Sequence, residues 1–284
     1  MQNLLQELGL SIFSVCLQTS IGMMMFLFIF ERFNALKSKI LVFTALCIAV
    51  VGVLSSFLHL GNPTNAYLTI NNISSSWLSR EIFIVSVYTG ALFLYFILRF
   101  IKGCFNPAFD ILGFGVVIIG LITLYVMSEA YISTSVPFWD SVNTYFEYYL
   151  SAVMLGAMFF YAIMYGQLSV TKFYNFSVII LLSVGLLAVS YVFHGLGLSQ
   201  ESIAARQSEA VLFSYSWLMG IIWALGGISM CLFFFNGIKF QKENTAALSP
   251  VNLFVVSAAL LFLAAILAKL IFYVAMVTTS VGLQ

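Results

Sequence analysis

Charge is what this sequence has least of. Only 7% of its 284 residues are Asp, Glu, Lys or Arg, and 62% are hydrophobic, where a soluble protein carries roughly a quarter charged residues. So few charges cannot cover a wet globule, which excludes a soluble enzyme and a disordered tail. The 11 basic and 10 acidic residues nearly cancel to a net charge of +1, so overall charge steers the protein to neither nucleic acid nor an acidic partner. Metal ligands are scarce as well. Cys16, Cys47, Cys104 and Cys231 are scattered, with no C-x-x-C and no histidine at ligand spacing. The sequence therefore offers no structural zinc or iron–sulfur site, and each cysteine is expected to be a small apolar residue in a helix. Residues 1–10 lack a basic n-region and a small-residue cleavage site. They read as the start of a retained helix rather than a signal peptide.

What the sequence has in quantity is long apolar runs. A stretch near 20 residues crosses a bilayer core of about 30 Å at about 1.5 Å per residue. Eight such stretches occur, at about 8–30, 40–60, 81–101, 110–132, 147–168, 173–195, 211–235 and 251–276. Fold class is thus predicted to be an all-α integral membrane protein of eight transmembrane helices in a single domain spanning 1–284, arranged as two four-helix bundles. The connections carry punctuation such as Asn62-Pro63, Pro107 and the polar stretch Gly197 to Glu209.

Basic residues near span ends stay on the cytoplasmic side. Arg32, Lys37, Lys39, Arg99, Lys102, Lys172, Lys239 and Lys242 follow spans 1, 3, 5 and 7, whereas only Arg80 and Arg206 follow the even spans. Both termini are therefore expected outside. With that orientation, the titratable groups inside spans fall at one depth. His59, Glu129, His194 and Lys269 come late in spans that run outward, while Gln18, Glu81 and Glu147 come early in spans that run inward. Ionisable groups inside spans are costly and default to functional candidates. Snorkelling to the headgroups competes with that reading, above all for Glu129, Glu147 and Lys269, and His194 beside Gly195 reads equally as a helix-end residue that only hydrogen-bonds.

His59 is set apart by its surroundings. The run Ser56-Phe57-Leu58-His59-Leu60-Gly61-Asn62-Pro63 ends an apolar helix on a histidine, then a glycine able to cap it, then a proline that forbids continuation. An uncharged loop rich in Asn, Ser and Thr leads from there to Arg80 and Glu81. It is long for an outer connection and polar enough to pack over a pocket or a partner.

The run Leu58-His59-Leu60-Gly61-x-Pro63-x-x-Ala66, followed by Asn71, Ser76, Leu78, Ser79, Glu81 and Ile82, resembles the DmsC family, membrane anchors of dimethyl sulfoxide reductase within the wider NrfD-like group of quinol-oxidising anchors. The 22-residue step from His59 to Glu81 matches that family without a gap. Two more segments are similar to it: Ile12-Phe13-x-Val15-x-x-Gln18-x-x-x-Gly22 and Val136-Pro137-x-Trp139-x-Ser141-x-x-Thr144. The resemblance implies a heme-free, cluster-free subunit that binds menaquinol near the outer face. It also implies two partners there, an iron–sulfur electron-transfer subunit and a molybdopterin catalytic subunit. Carried over residue by residue, His59 and Glu81 are the quinol-site pair and proton acceptors, supported by Gln18, Gly61, Pro63, Tyr67, Ser79 and Trp139. The sequence departs from the family pattern where Glu129 stands two places before Tyr131, and where Lys269, then Phe272-Tyr273, stands for an acid and an arginine in span 8. Glu129 and Lys269 are candidate pocket charges.

Quinol oxidation releases two electrons and two protons. His59, with an ordinary pKa of about 6.5, suits proton acceptance at neutral pH. Glu81 can orient it or take the second proton, Gln18 can bond the other quinol oxygen, and Tyr67, Trp77 and Trp139 are candidates to flank the ring, with an interfacial aromatic belt as the competing reading. With no redox centre expected in the protein, electrons must pass to a partner. Three rivals stay open: a b-type cytochrome with His59 and His194 as heme ligands, a small-molecule transporter, and an anchor with no site.

Overall fold

The structure, a computed structural model, describes residues 2–34, 38–57, 72–101, 107–168, 170–243 and 252–279. Among the described residues the protein is helical and without strands, and eight of its helices are long and apolar enough to cross a membrane. The helices are α1 (Gln2–Asn34), α2 (Lys39–Ser56), α3 (Trp77–Ile101), α4 (Pro107–Ile132), α5 (Val142–Met164), α6 (Val170–Glu201), α7 (Ile203–Ser214), α8 (Ser216–Glu243) and α9 (Leu253–Val274). Several starts are written locally. Ser38, Ser141, Ser202 and Asn252 each stand before a helix in extended backbone and accept a backbone N–H from its first turn at 3.0–3.2 Å. That satisfies donors the helix itself leaves open.

α1 is the hub, packing on α2, α4, α5 and α9. Its seam with α5 is made by glycine. A Cβ on Gly22 would run into the carbonyl of Ala152, and one on Gly156 into the backbone of Gly22. The two backbones touch, which is how helices in lipid gain packing without a hydrophobic driving force. α2 closes on α3, α3 on α4, and α4 returns to α1; α5 carries α6 and α9, and α9 carries α8.

Two stretches differ from the sequence reading. The polar stretch 197–209, read as a connection, is helical: α6 runs through His194 and Gly195 to Glu201, and α7 begins two residues later. Gly195 is therefore not a terminator, and His194 lies inside a helix rather than at its end. Arg99, counted among inner-loop charges, is buried in α3 and grips Glu31 of α1 with two guanidinium nitrogens, one at 2.8 Å, while it also donates to the Tyr95 hydroxyl. This pair ties α1 to α3 at the ends carrying the basic residues.

Candidate functional site

At the opposite end, the first residues of α3 and α5 meet the last turns of α4 and α9. Between α4 and α5, the segment 133–141 folds back on itself: the Trp139 and Asp140 N–H groups donate to the Val136 carbonyl. Val136, Phe138 and Trp139 are thereby buried against Phe272 and Tyr273. The Trp139 indole N–H donates to the Phe272 carbonyl at 2.8 Å, and its ring stacks on Phe272 with centroids 5.7 Å apart. Both polar and apolar parts of Trp139 are thus used inside the protein. It is not a headgroup belt residue.

Beneath this segment lies a buried polar cluster. Lys269 of α9, 1% exposed, is ion-paired with Glu147 of α5. Its ammonium sits 3.6 Å from the Tyr148 ring centroid and 4.2 Å from that of Phe272. Both side chains are enclosed by protein, so snorkelling does not describe them; a buried charge requires such a partner. Glu81 of α3, 3% exposed, interacts electrostatically with Lys269 and with Tyr131, Tyr148 and Tyr273. The tyrosines join one another: the Tyr273 hydroxyl lies 2.5 Å from Ser14 Oγ and 3.4 Å from the Tyr148 hydroxyl, and Tyr131 stacks on Tyr148.

Two groups in this neighbourhood are unsatisfied. Gln18 stands one turn beyond Ser14 on the same face of α1, fully buried, and neither its amide oxygen nor its nitrogen has a hydrogen-bond partner among the described residues. Glu81 Oε1 is in the same condition. Buried polar atoms are nearly always paired, and an unpaired amide or carboxylate costs on the order of 1–3 kcal/mol. Unpaired atoms of this kind call for a partner, whether an ordered water, an ion or a ligand.

The remaining sequence candidates divide. Ser79 is buried on α3, half a turn before Glu81. Glu129 is not brought into the cluster. It accepts a hydrogen bond from the Tyr145 hydroxyl beside a Tyr125–Tyr145 stack in which Tyr125 is exposed, whereas Tyr131, two residues on and so across the helix, stacks on Tyr148 of the cluster. His59, Gly61, Pro63 and Tyr67 lie outside the described residues. His194 Nε2 is 3.0 Å from the Phe138 carbonyl, so a heme at that nitrogen would have to displace this contact. The sequence presents Glu147 as a snorkelling charge and does not single out Ser14 or Tyr148. Aromatic hydroxyls buried in an apolar span look like packing until the fold brings several into contact.

The arrangement defines a class: an all-helical, multi-pass membrane protein that keeps a buried acid–lysine–tyrosine cluster near one end of its bundle. Comparison narrows the class. The family described as DMSO reductase anchor subunit (DmsC) matches residues 1–275, and the protein belongs to that family. It is 24% identical over 218 residues to the C chain of the anaerobic dimethyl sulfoxide reductase of Haemophilus influenzae, spanning 75% of this sequence and 78% of that protein. To the C chain of the Escherichia coli enzyme it is 26% identical over 230 residues, 78% of this sequence and 76% of the relative. It is also similar to the E. coli anaerobic dimethyl sulfoxide reductase chain YnfH, at 24% over 185 residues, 64% of this sequence and 65% of the relative.

Proposed function

We propose that this subunit oxidises menaquinol at the Glu81 cluster and hands the electrons to partner subunits of a dimethyl sulfoxide reductase-type complex. The observation that carries this reading is the pair of orphaned polar groups, Gln18 and Glu81 Oε1, beside an apolar aromatic wall. Dihydroxynaphthalene chemistry calls for that combination. One hydroxyl needs a carboxylate to accept its proton, the other oxygen needs an amide, and the ring needs an apolar slot. His59, 22 residues before Glu81 in sequence, is assigned the first proton, and Glu81 the second or the orientation of the imidazolium. The two electrons leave to an iron–sulfur subunit, and a molybdopterin subunit carries out the terminal reduction.

In this reading the complex sits on the periplasmic face of the cytoplasmic membrane, with both termini of the anchor there. The placement of Arg32, Arg99, Lys172 and Lys239 at the helix ends away from the cluster supports that orientation. α1–α4 form one four-helix half, and α5, α6, α8 and α9 the other, meeting along the α1–α5 seam. Protons released on the outer face would add little to the membrane potential. The test is His59→Ala and Glu81→Gln in the intact complex. Both are expected to lose quinol-dependent reduction while retaining assembly and activity with an artificial donor such as reduced benzyl viologen. Quinol-dependent rates that survive in both variants would overturn the proposal.

A further inference from the structure

A cavity of about 530 Å³ lies between α6, α7, α8 and α9, outside the polar cluster. Its walls are almost wholly apolar, and its size falls in the range of roughly 300–1,000 Å³ typical of small-molecule sites. Three features bear on what fills it. First, it opens sideways. Val192, Leu196 and Trp223 line it and are themselves 56–66% exposed on helices long and apolar enough to cross a membrane, so an occupant arrives from the bilayer and not from water. Second, it borders the cluster through two side chains that face both. Phe272 lines the cavity while Lys269 stands over its ring at 4.2 Å; Tyr191 lines the cavity and interacts electrostatically with Glu147. Third, lining groups with ionisable side chains are few, Tyr191, His194 and Glu209, and Nε2 of His194 is engaged by the Phe138 carbonyl.

We infer that this cavity holds the isoprenoid tail of the quinol, an inference that rests on the reading of the Glu81 cluster as the headgroup site. A headgroup lodged against the Lys269 side of Phe272 leaves its tail to pass Phe272 and Tyr191 into an apolar slot that opens to lipid. The tail then contributes uniform binding affinity and plays no part in proton transfer.

The cavity can be filled without disturbing the backbone. No heavy atom stands within 4 Å of where a Cβ at Gly195 would be placed, so Gly195→Leu puts a side chain at the cavity wall; Ala188→Trp fills it from a second position. The experiment measures steady-state quinol oxidation by the intact complex with a menaquinol bearing a multi-isoprene tail and with the same ring lacking a tail. For each variant, KM for the tailed quinol should rise about tenfold while kcat/KM for the tail-less quinol stays within about twofold of wild type. Activity with an artificial donor reports assembly, and where one variant fails to assemble the other is read. Equal KM values for the tailed quinol in wild type and variant, or parallel losses with both quinols, would overturn the inference. Mass spectrometry of the purified complex gives an independent reading: quinone retained by wild type and lost from Gly195→Leu supports it, and a phospholipid found in that position instead overturns it. Glu81→Gln separates the two levels. Retention of both quinol activities in that variant removes the headgroup site, whereas the tail is judged by the cavity variants alone.

Discussion

The α1–α5 seam and the α6–α8 flank pack in opposite ways, although α1 and α8 are about equally apolar. Of the apolar stretch of α1, 78% is buried inside the protein; for α8 the figure is 11%. At the seam, glycines bring two backbones into contact and the neighbouring helices enclose Glu81, Glu147 and Lys269. On the flank, large side chains such as Phe193, Phe213 and Trp217 are 63–71% exposed, and several glycines meet nothing. In water such a flank would be an aggregation hazard, but in lipid it is neutral, because acyl chains are as apolar as leucine. Burial in this protein therefore does not follow hydrophobicity alone. On the proposed reading, the tight region holds the chemistry and the loose region faces the bilayer that supplies a lipophilic substrate.

The comparison breaks most visibly if chemistry proves insensitive to the tight region. Glu81→Gln keeps size and burial but removes the proton acceptor, so quinol-dependent turnover should fall by about 10²- to 10⁴-fold, read against unchanged artificial-donor activity. A substitution on the flank at an equally apolar site, Phe213→Ala, should leave turnover with a tail-less quinol unaltered. Similar losses in both variants would erase the distinction.

Stability gives the next largest contrast. Lys269→Met leaves Glu147 buried without its cation, a loss expected to cost about 3–5 kcal/mol. Adding Glu147→Leu should return most of it, since an apolar pair of similar volume is tolerated where an ion pair stood. Phe213→Ala should shift stability by no more than about 0.5 kcal/mol, as for exposed sites generally. Thermal unfolding followed by circular dichroism of the purified anchor checks all three; a Lys269→Met protein as stable as wild type would show that the pair is dispensable.

How legible this was in advance depended on the kind of signal. Helix number and type were open to reading because apolar length is a one-dimensional property, and the gathering of Gln18, Glu81, Glu147 and Lys269 near one end followed from counting depth along each span. Which of them meet was not legible. Glu129 and Tyr131 are two residues apart at the same depth, and only the rotation of α4 decides that the tyrosine stacks on Tyr148 while the acid turns to Tyr145. The stretch 197–209 was misleading because its Ser, Gln, Glu and Arg residues suit a loop by composition, yet α7 starts on a Ser202 cap and buries Ala204, Ala205 and Ser208. Arg99 was hidden by position, since an arginine at a span end serves the topology rule whether it faces water or, as here, Glu31.

The smallest and sharpest test exchanges one methyl group between the two regions. A Cβ at Gly156 would collide with the Gly22 backbone, which has no flexible end to move aside, whereas no heavy atom lies within 4 Å of one at Gly227 of α8. Gly156→Ala must push α1 and α5 apart and should cost about 1–3 kcal/mol, as overpacking of a close core does. Gly227→Ala only removes backbone freedom from the unfolded state and should stabilise by about 0.4–1 kcal/mol. The same chemical change thus carries opposite signs, measurable as opposite shifts of the unfolding midpoint. Opposite shifts would tie the difference to packing. Stabilisation at both sites would mean that helix propensity, which favours alanine at the two positions alike, governs this bundle instead of the contact between α1 and α5.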